Sequence, residues 1–258
     1  MASHPILTDQ KDHVGIITLN RPDTLNTFTV AFAKDLNAAL MQMDQNKNIR
    51  VIVIRSAGKH FSTGIALDEF KDKDLNEYRK MIQIMDLHNH TIARMKKPVI
   101  ASVQGYAIAN GSGLAFACDL TIAAEDARFG TTAINVGLIC LGPAVPLSRL
   151  VGRKKALEMI LTGDFISAAE AQHLGIVNQV VPPEKLENAT MELALKLAAK
   201  SPLAIQAGKQ GIYAMMDLPY RQSLDYMGEL FASLCVTRDA HEGLQAFGEK
   251  RKPVWKNQ

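Results

Sequence analysis

The run Val14-Gly-Ile-Ile-Thr-Leu19 is almost continuously apolar and stops at the polar turn Asn20-Arg21-Pro22-Asp23, the pattern of a strand and its exit. From Thr29 to Asp44, Phe32, Leu36, Leu40 and Met43 recur every three or four residues, which predicts an amphipathic helix. Val51–Ile54 is a short unbroken apolar run, as in a strand buried on both faces. After the polar loop 56–64, the spacing predicts a helix over 75–95, a strand over 98–103, a helix after Gly113 and a strand over 120–123. Strand and helix thus alternate through the first half, which predicts an α/β fold with right-handed crossovers.

From Leu141 onward helix dominates. Ser167-Ala-Ala-Glu170 reads as a capping box for a helix ending near Leu174-Gly175, and Ile176–Val181 as the last strand. An amphipathic helix follows over 183–200, and Ser201-Pro202 ends it and starts another. The tail, 202–250, reads as three helices with apolar positions at Ile205, Leu224, Met227, Leu230, Phe231, Leu244 and Phe247. Periodicity leaves open whether these pack on their own core or on a neighbouring subunit. The expected division is a core over 1–200 and a helical region over 201–258.

Composition narrows the function without deciding it. The 258 residues are 47% hydrophobic and 21% charged, ordinary for a globular chain, and the net charge is only +3 with no basic block. Nucleic acid is therefore not expected as a partner. Cys118, Cys140 and Cys235 form no CxxC pair, and the N-terminus has neither an apolar leader nor an Arg-rich transit pattern. No metal site, no membrane span and a reducing, cytoplasmic location are the expectations.

The candidate chemistry lies in two small-residue loops, each placed after a buried strand: Phe61-Ser-Thr-Gly-Ile-Ala66 and Gly105-Tyr-Ala-Ile-Ala-Asn-Gly-Ser-Gly113. Small side chains let a ligand approach the backbone, and the second loop opens a helix whose first N–H groups carry partial positive charge. Two such N–H groups converging on one point would hold an oxyanion. Glycine turns after strands also occur simply because the chain must turn.

The order of several short motifs resembles the crotonase superfamily, the enoyl-CoA hydratase/isomerase family, over nearly the whole chain. They are Asn20-Arg-Pro-Asp-Thr-Leu-Asn26, His60-Phe-Ser-Thr-Gly64, Lys97-Pro-Val-Ile-Ala101, Gly105-Tyr-Ala107, Cys118-Asp119 and Ala127-Arg-Phe-Gly130, and then Gly152-Arg-Lys-Lys-Ala-Leu-Glu158, Leu161-Thr-Gly163, Gly175-Ile-Val177 and Glu249-Lys-Arg-Lys-Pro253. Asn135-Val-Gly-Leu-Ile-Cys140 and the ending Arg251-Lys-Pro-Val-Trp255 resemble one branch of it, the enoyl-CoA hydratase domain-containing protein 3 type. The resemblance implies a spiral of ββα units with a C-terminal helical trimerisation region, a homotrimer or dimer of trimers, and an acyl-CoA substrate with no cofactor beyond its coenzyme A. It implies an oxyanion hole from the backbone N–H groups of Ile65 and Asn110. The acyl-CoA would run past Arg21, Leu25, Ala66, Leu67, Asp68 and Gly111, with Asn135 and Cys140 near the acyl group.

The departures are equally specific. Hydratases of this family carry a glutamate inside the glycine turn and a second about twenty residues on; the matching positions here hold Gly113 and Ala133. The remaining candidate for proton transfer is His90, where a related acyl-CoA dehalogenase has a catalytic histidine, although that enzyme's nucleophilic aspartate falls at Leu141. Asp68 and Glu69 read as solvated loop charges, Asp119 as a structural cap, and His88 as facing away from His90. The expected function is an acyl-CoA enzyme, lyase or isomerase, atypical or weak as a hydratase. A thioester hydrolase and a non-catalytic acyl-CoA-binding protein are the alternatives.

Overall fold

Among residues 4–258, which the computed structural model describes, nine strands form two sheets. In chain order they are β1 (Ile6–Lys11), β2 (Val14–Leu19), β3 (Val51–Ser56), β4 (Val99–Val103), β5 (Tyr106–Ile108), β6 (Leu120–Ala124), β7 (Arg128–Gly130), β8 (Phe165–Ser167) and β9 (Gln179–Val181). The helices are α1 (Val30–Gln45), α2 (Leu75–Met85), α3 (Leu87–Arg94), α4 (Asn110–Ala117), α5 (Leu141–Thr162), α6 (Ala168–His173), α7 (Leu186–Ala198), α8 (Pro202–Met215), α9 (Tyr220–Cys235) and α10 (Arg238–Gly248). The large sheet runs β1-β2-β3-β4-β6-β9, parallel throughout except for the β1–β2 hairpin. The small sheet runs β5-β7-β8 and is extended by single bridges Phe28–Ile65 and Ser62–Ala107. Each turn of the chain therefore places one strand in the large sheet and one short stretch in the small sheet before its helix. This is the expected spiral of ββα units.

Period-two alternation explains why the central strands read as continuous apolar runs. In β3, Ile52 and Ile54 enter the main core with Leu36 and Leu40 of α1, while Val51 and Val53 face the second core with Leu186 and Ala194 of α7. Both faces of the strand are covered, so neither register of side chains can be polar.

Several boundaries differ from the sequence pattern. The helix predicted over 75–95 breaks at Asp86 (φ −95, ψ 1) into α2 and α3. The apolar period continues across the break, so the pattern alone cannot reveal it. β1, β5, β7 and β8 escape notice because an exposed edge or a length of three residues carries little alternation. The last strand is only Gln179–Val181; Ile176 and Val177 instead bury their side chains while their backbone N–H groups donate to the Ala171 carbonyl. Ser167 Oγ accepts from the Glu170 N–H at 3.1 Å, but Glu170 turns to Lys155 at 3.2 Å rather than closing a capping box; the reciprocal box is at Asp74 and Glu77. The predicted helix over 183–200 begins with a 3-10 turn and runs from Leu186 to Ala198.

The three tail helices are present as expected. α8 is fixed to the core by Lys209, whose Nζ lies 2.6 Å from Asp119 Oδ2 and 3.0 Å from the Lys97 carbonyl. Asp119 also accepts from the Val99 N–H at 2.7 Å. Burial pushes its carboxyl group up, and the ammonium of Lys209 pulls it back down. Substituting methionine at Lys209 strands that carboxylate, so Lys209→Met is expected to lower unfolding free energy by about 3–5 kcal/mol in denaturant melts. A loss under about 1 kcal/mol would show that water reaches Asp119.

His88 supplies a second stability test. Its ring is wholly buried, 5.6 Å from that of Phe28, and its Nε2 has no hydrogen-bond partner. Burial holds the imidazole down to about 4 from 6.5, against a Met85 backbone hydrogen bond that raises it. Between these two values the unfolded chain binds the extra proton and the folded chain does not. The contribution is therefore complete above pH 6.5 and lost as pH falls toward 4, by roughly 3 kcal/mol. The expected result is that His88→Leu flattens the acid limb of a pH–stability curve relative to wild type; superimposable limbs would assign the acid sensitivity elsewhere.

Candidate active site

The two small-residue loops meet. Ser62 N–H donates to the Tyr106 carbonyl at 3.1 Å and the Ile108 N–H to the Ser62 carbonyl at 3.0 Å. On the other side, Phe28 N–H donates to the Gly64 carbonyl at 2.7 Å and Ala66 N–H to the Phe28 carbonyl at 2.8 Å. This ladder skips Ile65: its N–H donates to no group among the described residues, and neither does that of Asn110 at the first turn of α4. Gly64 lies between the two donors at φ +95, and a methyl there would sit 2.8 Å from Ala109 Cβ and 3.6 Å from Asn110 N. A methyl on Gly111 would overlap the Ser62 carbonyl. Both glycines are set by close backbone approach.

Ala109, just before α4, holds φ 48 and ψ −118, a strained setting for a residue with a Cβ. Its N–H donates to the Gly130 carbonyl at 2.8 Å, and buried Ser112 Oγ bonds the carbonyls of Ala107 and Gly130. Asn110 Nδ2 donates to the Met85 carbonyl at 3.4 Å, tying the turn to the α2–α3 break. The result is two N–H groups without a partner among the described residues, on loops in backbone contact, one of them at the first turn of α4.

The residues expected to line the ligand have different settings. Ala66 follows Ile65, and Leu67 and Asp68 open an exposed 3-10 turn in which Asp68 pairs with Lys71. That ammonium holds the Asp68 carboxyl below the usual range. Glu69 departs from its reading as a solvated charge: its Oε1 accepts from the Val30 N–H at 3.0 Å at the start of α1. Leu25 is exposed with φ 54, and the Arg21 guanidinium donates to the Thr27 carbonyl at 2.7 Å. Gly111 packs on Ser62 as described. Asn135 is exposed beside Gly163, and Cys140 is buried at the start of α5 with its thiol pushed up by burial, which keeps it protonated. His90 is exposed on α3 while His88 points into the core.

Gly113 and Ala133 leave no carboxylate at the two positions where the resemblance places glutamates. Space has closed at the first: a methyl on Gly113 would lie 2.9 Å from Pro143 Cγ. A carboxylate does approach from elsewhere, and sequence patterning missed it. Asp86, at the α2–α3 break, sits against the first turn of α5, where a methyl on Gly142 would lie 2.5 Å from its Oδ1. Burial raises its carboxyl pKa, with the charge of His90 and a hydrogen bond from Asn89 pulling the other way.

This geometry has counterparts. A family model described as Enoyl-CoA hydratase/isomerase matches residues 9–258. The chain belongs to the enoyl-CoA hydratase/isomerase family. It is 35% identical to the probable mitochondrial enoyl-CoA hydratase of Dictyostelium discoideum, over 97% of this chain and 90% of that one. Its fold is similar to the enoyl-CoA hydratase of Mycobacterium smegmatis, with a TM-score of 0.95, 36% identity and coverage of 98% and 99%. Human enoyl-CoA hydratase domain-containing protein 3 matches with a TM-score of 0.94 at 34% identity, covering 98% of this chain and all (100%) of that one. The family resemblance read from the sequence therefore stands, and the enoyl-CoA hydratase domain-containing protein 3 type is among the relatives the chain matches.

The meeting of the loops is testable through Gly111. In Gly111→Ala, the added methyl must push the 62–65 segment away from α4, which is expected to cost about 1–3 kcal/mol of stability. The expected melt is cooperative but shifted down, with hydrogen exchange at Ile65 and Asn110 accelerated. Unchanged melting and exchange would mean that the loops do not depend on this contact.

Proposed function

We propose that this chain binds acyl-CoA thioesters and acts at the carbon next to the thioester carbonyl, with the thioester oxygen held by the Ile65 and Asn110 N–H groups. The observation that carries the reading is the pair of unengaged backbone donors on two loops pressed together by Gly64 and Gly111. Such donors stabilise an enolate more than the neutral thioester, so they lower the barrier to forming it. Membership of the enoyl-CoA hydratase/isomerase family supports the same substrate class. Coenzyme A enters as part of the substrate, and no other cofactor is proposed.

Water addition needs a group that takes a proton from water and one that delivers a proton to the α-carbon, each worth about a hundred- to ten-thousand-fold in rate. With Gly113 and Ala133 in the glutamate positions, we read this chain as a weak hydratase and closer to an isomerase in its proton chemistry. His90 is not favoured as a replacement, because it is exposed on α3.

The tail supports a homotrimer or dimer of trimers. α9 buries no residue within the chain, and Phe231 and Phe247 are 68% and 85% exposed. Exposed aromatic side chains on the tail helices suit burial against a second copy of the chain. The three cysteines are free, and no helix among the described residues is long and apolar enough to cross a membrane.

Incubation with a panel of enoyl- and 3-enoyl-CoA esters, followed by mass spectrometry and NMR, tests the reading. Crotonyl-CoA hydration is expected to run several powers of ten below a two-glutamate family member assayed alongside. Gly113→Glu with Ala133→Glu is expected to stay slow unless Pro143→Ala also opens the space beside Gly113. A fast wild-type hydratase, or no saturable binding of any CoA ester by calorimetry, would overturn this assignment.

A further inference from the structure

Asp86 has a setting that packing alone does not require. It stands at the break between α2 and α3, one residue after the Met85 carbonyl that accepts from Asn110 Nδ2. Its carboxylate lies over Gly142, where any side chain would collide with it. The neighbouring residue on the same turn of α5, Pro143, packs against Gly113. The first turn of α5 thus fills the space beside Gly113, where the resemblance places a glutamate, and leaves room beside Gly142 for a carboxylate from the α2–α3 break. The groups facing it are Asn89, which donates to Oδ1 at 3.4 Å, and His90, one turn further along α3.

We propose that the Asp86 carboxylate is the acid–base group of this site and exchanges the α-proton of the bound acyl thioester. This rests on the acyl-CoA reading above. The carboxylate oxygen takes a proton from C2, and the C–H electron pair becomes the C1–C2 double bond. The carbonyl π pair moves onto the thioester oxygen, where the Ile65 and Asn110 N–H groups hold it. The carboxylic acid then returns the proton to C2, or delivers it to C4 of a 3-enoyl thioester, shifting the double bond into conjugation. Nothing is consumed and no oxidant or reductant is needed. Partial burial strengthens Asp86 as a base by raising its affinity for the proton. A single shuttle of this kind suits isomerisation better than hydration, which needs two coordinated groups.

Butyryl-CoA in D2O is the probe, because α-deuterium exchange reads the proton step without any net reaction. Wild type is expected to bind butyryl-CoA and incorporate deuterium at C2. In Asp86→Asn, exchange is expected to fall about a hundred- to ten-thousand-fold with butyryl-CoA affinity unchanged by calorimetry. Asp86→Glu, which keeps the carboxylate, is expected to recover part of that loss. Gly142→Ala leaves Asp86 in the chain but puts a methyl 2.5 Å from its present Oδ1 position, so the carboxylate turns away and exchange drops while the melt stays cooperative. Wild-type exchange rates in Asp86→Asn, or wild type that binds butyryl-CoA and exchanges nothing, overturn the assignment of Asp86. Wild type that fails to bind butyryl-CoA overturns the acyl-CoA reading itself.

Discussion

The closeness of two backbones governs this molecule. Gly64 and Gly111 let the 62–65 segment and the start of α4 touch main chain to main chain, and no side chain larger than hydrogen fits at either contact. An oxyanion needs donors a few ångströms apart aimed at one point, and backbone N–H groups reach that spacing only when nothing stands between the chains. The rest of the fold supplies the pressure. β3 and β4 are parallel neighbours in the large sheet, so the loops that leave them start side by side and are bridged again at Ser62 and Ala107 in the small sheet.

The strain at Ala109 belongs to the same constraint. A residue at φ 48 and ψ −118 costs free energy, of order 1–3 kcal/mol, and persists only where its surroundings hold it. Here the Gly130 carbonyl takes its N–H, Ser112 anchors the β5–α4 turn to β7, and the Asn110 side chain reaches the Met85 carbonyl. Relaxing Ala109 would rotate the peptide that carries the Asn110 N–H away from Ile65. The stability of β7 and of the α2–α3 break therefore reaches the Asn110 N–H through three hydrogen bonds.

Much of this was legible in the chain. Buried strands show as apolar runs because both of their faces are covered, and amphipathic helices such as α1 show their period because one face is not. The two small-residue loops are equally visible, since only glycine and alanine permit such contacts. What the pattern hides is tertiary. The break at Asp86 lies inside an unbroken helical period, and an aspartate there reads as one more solvated charge. Its approach to Gly142 joins residues more than fifty positions apart, and the filling of the space at Gly113 by Pro143 depends on how α5 docks. Glu69 reads as solvated for the same reason: its partner is the N-terminus of α1, brought to it by the fold.

A glycine at position 113 is not by itself evidence of an inactive site, and the first turn of α5 shows why. If Gly113 merely marked decay of an active site, the vacated volume would be a void or water, and nearby polar groups would have no reason to converge on it. Instead Pro143 fills the volume to van der Waals contact, and Gly142 beside it gives up its side chain to a half-buried carboxylate from another helix. Half-burying a carboxylate that has, among the described residues, only one long hydrogen bond, from Asn89, raises its proton affinity and disfavours its charged form, so packing alone gives little reason for an aspartate at this place. The role proposed for Asp86 accounts for this setting: a carboxylate at the α2–α3 break would serve the Ile65 and Asn110 N–H groups from a place that Pro143 leaves open. That one proposal accounts for both residues of α5 at once.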